Sequence, residues 1–215
     1  MLSILPPALL APPAALVAKE DPKALARQVV EQINWARQHP DAAAAELEAW
    51  LPLFEGGRYL AYPGEPRLRT EEGPEAVKEA IAFLEKQSPL EPLAWSPALA
   101  AAAEDLVKDQ SVGGGLGHEG SDGSLPITRM ARYGSYLGES GEVVTYGSLG
   151  EPPTARRAVL ALIVDDGVKS RGHRALLFEA RFAWAGAGWG AHPRFGRMVV
   201  VDLAEEVLKE APPRR

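Results

Sequence analysis

Two of the four histidines stand in Gly-flanked polar phrases, Gly117-His118-Glu119-Gly120-Ser121-Asp122-Gly123-Ser124 and Arg171-Gly172-His173-Arg174. Between them lie Gly141-Glu142 and Asp165-Asp166-Gly167. Imidazoles and carboxylates are the usual material of a proton-transfer or metal site. Glycines beside them permit close backbone approach. His118 follows a glycine-rich turn, so it is a ligand, a base or a solvated loop histidine. Glu142 precedes an apolar run, where a carboxylate is costly unless paired. It either pairs with an imidazole at a cleft floor or sits at a solvated strand end. His173 precedes Ala175-Leu176-Leu177-Phe178 and has Asp165 and Asp166 eight and seven residues upstream to bond it. Glu119, Asp122 and Glu139 are competing carboxylates, and capping is the favoured role for Asp122.

Other features carry less chemistry. His39 and His192 precede prolines and read as turn residues. The run Gly113-Gly114-Gly115-Leu116-Gly117 lacks both the ending of a P-loop and the strand-then-helix context of a dinucleotide site. No serine or cysteine nucleophile with an adjacent base is evident.

The elements that must position these residues can be outlined from pattern. Asp21-Pro22 reads as a helix start, with Leu25, Val29, Ile33 and Ala36 on one face and His39-Pro40 as the stop. A short helix is expected over 42–51, a loop over 54–73 and a helix over 74–87. Ser96-Pro97 caps a helix whose buried stripe is Leu99, Ala102, Ala103, Leu106 and Val107. Asp122 or Ser124 is expected to cap a short helix from Leu125 to Tyr133. Val143–Tyr146 reads as a strand. Thr154 opens a helix for which Gly167 suits the position just past the end. Residues 182–189 and 198–202 are the best strands, joined by 190–197. Helices first and two strands last indicate α+β with an antiparallel sheet rather than a regular βαβ alternation.

The chain has 215 residues, 46% hydrophobic and 24% charged, enough for one sizeable core. Net charge is −6 without a long basic run, so nucleic acid is not an expected partner. Absence of cysteine excludes disulfides, thiolate catalysis and Cys-based zinc sites. Nineteen prolines beside the single Asn34 resemble a thermophile's composition. A melting midpoint above the ordinary mesophilic range is expected, and calorimetry checks it. Residues 1–18 are apolar and proline-rich, too short for a comfortable membrane span and similar to a secretory signal without its positive start. Export to the medium or cell envelope is expected; the alternative is a disordered or surface-docked arm on a cytoplasmic protein.

Together these phrases resemble the CAP superfamily (SCP-like; cysteine-rich secretory protein, antigen 5 and pathogenesis-related 1), in its bacterial, cysteine-free branch. Ile33-Asn34-Trp35-Ala36-Arg37 resembles the first-helix signature. Leu93-Ala94-Trp95-Ser96-Pro97-Ala98-Leu99 running to Ala103 resembles the second. His118–Ser124, Gly141-Glu142-Val143-Val144-Thr145-Tyr146-Gly147 and Gly172-His173-Arg174 with Phe178 follow in family order. The resemblance covers residues 24–40 and 90–203. It implies a three-layer α-β-α sandwich with a central antiparallel sheet and a surface cleft. It also implies that two histidines and two acidic residues face that cleft: His118, Glu142, His173 and either Asp165 or Asp166, shorter than the usual glutamate. In some relatives the histidines bind a divalent cation, so His118 and His173 are candidate metal ligands for Zn²⁺ or Mg²⁺. Val143 replaces the usual asparagine, and 41–90 is an insert between the first two family helices.

The organisation expected is a signal-like segment 1–18, a single domain 20–205 and a tail 206–215. The expected function is an exported module binding a divalent cation or a small-molecule, lipid or envelope ligand. The alternatives are a metal-dependent hydrolase with Glu142 as general base and a structural envelope protein.

Overall fold

The computed structural model describes residues 21–147, 150 and 154–210. The apolar 1–18 stretch therefore lies outside the described residues.

Seven helices and seven strands follow one another as α1 (Pro22–Gln38), α2 (Pro40–Glu48), β1 (Phe54–Glu55), β2 (Tyr59–Leu60), β3 (Leu68–Arg69), α3 (Pro74–Leu84), β4 (Ala94–Trp95), α4 (Pro97–Gly113), α5 (Pro126–Met130), β5 (Gly134–Tyr146), α6 (Ala155–Val164), α7 (Gly172–Leu177), β6 (Trp184–His192) and β7 (Gly196–Glu210) among the described residues. The main sheet has the order β4-β6-β7-β5. It is antiparallel apart from the two-residue pairing of β4 with β6.

Alternation along β7 sorts the core into two halves, because successive side chains point to opposite faces. Val199, Val201 and Leu203 pack with α1, α2, α3 and α6. Met198, Val200 and Ala204 pack with α4 and α5. The molecule is thus an α-β-α sandwich. On the α4 side, β6 carries Gly186, Gly188 and Gly190, which let the helix backbone lie against the strand. No helix among the described residues is long and apolar enough to cross a membrane.

Local chemistry explains the helix starts. Asp21 caps α1 through the Lys23 amide, Ser96 caps α4 through Leu99, and Thr154 caps α6 through Arg157. Inside α1, Asn34 exchanges two hydrogen bonds with the Leu93 backbone, at 2.9 and 2.7 Å. Buried Arg37 donates to the carbonyls of Glu91, Leu177, Glu179 and Phe182. These two residues of the first-helix signature are structural clamps.

Several local expectations change. The 54–73 stretch is not a plain loop but a three-stranded miniature sheet, β1-β2-β3, held by antiparallel pairs too short for periodicity to reveal. Helix α5 is capped by neither Asp122 nor Ser124. Its N-cap is Leu125, while Asp122 accepts the Ser124 amide. Helix α6 ends at Asp165 in the left-handed region (φ 56°), not with Gly167 taking that place. The Val143–Tyr146 strand starts nine residues earlier, at Gly134. Strand β7 runs on to Glu210 through pairing with β5, so residues 206–210 belong to the sheet rather than to a tail.

Candidate functional site

β5 is an edge strand of the main sheet. A cleft of about 610 Å³ lies along its end and is lined by His118, Val144, Thr145, Tyr146, Asp165, Asp166 and His173. His118 arrives from the loop after α4 and His173 from α7, so each helical layer contributes one imidazole. The insert adds Trp50, Phe54, Leu60, Leu68 and Val77 to the wall, and α6 adds Ala161 and Leu162. The size and mixed lining are those of a small-molecule site.

Each ring is held by its own carboxylate. His118 Nδ1 lies 2.8 Å from Glu142 Oε1, and His173 Nδ1 lies 2.6 Å from Asp165 Oδ1. A carboxylate only accepts, so both rings carry their proton on Nδ1 when neutral. Neither Nε2 has a protein partner among the described residues, which leaves a lone pair free on each ring.

The supporting shell differs between the halves. The Glu142 side chain is 1% exposed, and its second oxygen takes a 2.6 Å bond from Arg129, whose side chain is also 1% exposed. Arg129 further donates to the carbonyls of His118 and Ser124, at 3.0 and 2.7 Å. One guanidinium therefore orients both the acid and the loop carrying the base. Tyr146 serves the same loop: its hydroxyl accepts from the Gly117 amide and donates to Gln110. Burial pushes the Tyr146 hydroxyl above the usual phenol range, so it stays protonated.

In the other half, Asp165 Oδ2 also accepts the His173 amide at 2.9 Å, so one side chain caps α7 and fixes its ring. Asp165 and Arg171 are the non-glycine residues with positive φ among those described, at 56° and 51°. Local strain at both ends of this turn is the kind that surrounding contacts must enforce. Asp166 instead accepts the amides of Glu71 and Glu72, at 2.6 and 2.8 Å. Arg171 bonds Glu72 and Glu79. Glu72 also accepts the Gly167 amide, and these bonds hold its carboxyl down at about 2. The insert is thus strapped to the turn that presents His173.

Of the sequence candidates, His118 pairs with Glu142 and His173 with Asp165, both rings line one cleft, and Asp166 lines it as a fastener. Glu142 faces no solvent. Glu119 and Glu139 join neither dyad, and Glu139 pairs with Arg181 at an exposed position. His192 is buried and bonds Gly115 O at 3.0 Å, a larger role than a turn residue. Arg129 and Asp202 were not legible as site residues, because nothing near them in sequence marks them; only the cross-strand register brings Asp202 opposite Glu142.

Both rings could serve as metal ligands with carboxylate support, the usual outer-shell arrangement for a metal-bound histidine. Among the described residues no three His, Asp or Glu side chains converge as ligands. Glu142 and Asp165 are each engaged in orienting a ring, so what each ring has left to offer a ligand is its Nε2.

Asp166→Ala is expected to speed amide hydrogen exchange at Glu71 and Glu72 and to cost about 2 kcal/mol, since bonds to a charged acceptor are the stronger kind. Exchange at those amides matching wild type would show that the strap does not hold the insert.

A family model for CAP, the cysteine-rich secretory protein family, matches residues 30–203. An extracellular SCP-domain protein of Bacillus anthracis str. Ames is similar in structure, at 17% identity and TM-score 0.43. The match covers 60% of this chain and only 38% of that one. An outer surface protein of Borrelia burgdorferi matches at 19% identity and TM-score 0.45, over 61% of this chain and 92% of that one. No curated protein matches.

Proposed function

From the premise that the chain belongs to the CAP family, we propose that its cleft binds a divalent cation, or a small ligand in its place, at His118 and His173. The observation that supports this reading is that His118 and His173 line one cleft, each ring bonded through Nδ1 to its own carboxylate. Rings that give Nδ1–H to a carboxylate offer Nε2 as a Lewis base, and imidazole donors suit Zn²⁺ better than Mg²⁺. A bound cation would supply Lewis acidity to a ligand oxygen. Glu142 and Asp165 fix the rings, and Arg129 fixes Glu142. Trp50, Phe54, Leu60 and Leu68 offer an apolar wall for the ligand's carbon skeleton.

The geometry gives no support to a hydrolase with Glu142 as general base. Both oxygens are engaged and the side chain is 1% exposed, which supports an orienting role for Glu142. Export to the medium or cell envelope is part of the proposal. It draws support from the apolar residues 1–18 and from the secretory character named in the family's description.

Calorimetric titration with ZnCl₂ tests the reading. His118→Ala and His173→Ala are each expected to weaken binding at least tenfold while circular dichroism stays native. Wild-type affinity in both variants would sink it.

A further inference from the structure

Asp202 lies on β7, directly across from Glu142 of β5, and is fully buried. On its other flank stands Gly186 of β6, which has no side chain. Val200 and Ala204, its neighbours on the same face, pack against Leu106 of α4 and Met130 of α5. The charged or titratable groups that act on it are Glu142, Arg129 and, from the start of β5, the Tyr136 hydroxyl. The α4 and β6 residues packed over it, such as Leu99, Ala103 and Gly186, bring no charge.

This pocket holds two carboxyl groups and one guanidinium. Arg129 is committed to Glu142, Ser124 and His118 through its terminal nitrogens, and its Nε makes no bond. Neither oxygen of Asp202 meets a donor. A buried carboxylate with no partner is unfavourable, and two ionised carboxylates side by side repel. A single proton resolves both problems, because a protonated carboxyl becomes a donor.

We propose that Asp202 is a positioning residue: it carries a proton at neutral pH and donates it to Glu142, which holds the Glu142 side chain aimed at His118 Nδ1. Burial, and then the neighbouring charge of Glu142, push the Asp202 carboxyl well above its usual range, in agreement with the geometry. The inference needs no ligand in the cleft and stands apart from the cation-binding reading.

Infrared spectroscopy of the full chain at pH 7 is the deciding measurement. Wild type is expected to show the carbonyl band of a protonated carboxylic acid, and Asp202→Asn, which keeps a donor, is expected to lose it. Nitrogen-15 NMR should find His118 as the Nδ1–H tautomer in wild type and in Asp202→Asn, with a smaller share of that tautomer in Asp202→Ala. Stability has a matching sign. A carboxyl raised in the folded state holds a proton that the unfolded chain releases near its ordinary pKa. Wild type should therefore lose unfolding stability as pH rises from that ordinary range towards the folded value, a slope absent from Asp202→Asn. Absence of the acid band in wild type, or its survival in Asp202→Asn, would overturn the assignment. An unchanged His118 tautomer in a folded Asp202→Ala would do the same; if that variant does not fold, the band and the Asp202→Asn slope decide.

Discussion

Replacing Arg129 with methionine is expected to lower the free energy of unfolding by about 3–5 kcal/mol, the cost of removing one partner from a buried ion pair. The reason is arithmetic of charge. Arg129 is the guanidinium facing Glu142 and Asp202, and both acids are buried. Without it the buried Glu142 side chain would lose its guanidinium partner, which is costly unless water enters the core. Two loop carbonyls, those of His118 and Ser124, would also lose their donor. Arg129→Lys should recover part of the loss, since an ammonium supplies charge but cannot reproduce the planar fork that reaches a carboxylate and two carbonyls together. Urea titrations check both variants. A loss below about 1 kcal/mol in Arg129→Met, the scale of an exposed pair, would mean that the cluster is not dry.

Gly186→Ala is expected to be nearly as damaging for a different reason. A Cβ there would stand 2.0 Å from Ala100 N, 2.5 Å from Leu99 C and 2.7 Å from Ala100 Cα. All three are backbone atoms in the first turns of α4, so no rotamer change relieves the clash and the helix must lift from the sheet. Overpacking of this kind costs about 3 kcal/mol, or about 6 °C or more of melting temperature in a chain of this size. Gly190→Ala is the control. Its obstacle is a single side-chain atom, Val107 Cγ1 at 2.4 Å, and not helix backbone, so the loss should be smaller. Equal midpoints for the two variants would contradict the close docking of α4 on β6.

How much of this was legible in sequence depends on the range of the interaction. Helix starts were readable because a cap and its amide are two or three residues apart, as with Ser96 and Leu99. His118, Glu142 and His173 were readable as ordered phrases, and the choice between Asp165 and Asp166 was not. Only the turn after α6 separates them: it aims the first at the His173 ring and the second at the insert's amides. The miniature sheet escaped because two-residue strands carry no period. Gly167 lost its expected role because Asp165 accepted a left-handed backbone that sequence rules reserve for glycine first. Asp202 sits among valines and leucines with nothing beside it to signal its use; its meaning comes from register across β5, which no local pattern encodes.

The fastening of the insert has a mechanical consequence. Consecutive residues 165 and 166 serve opposite sides of the same hollow, one steadying an imidazole and the other gripping the facing wall. The hollow's width and the tilt of that imidazole therefore cannot drift independently. A guest that prises the wall outward must also tug the peptide link beneath His173, so bulk felt at one rim is reported at the nitrogen opposite.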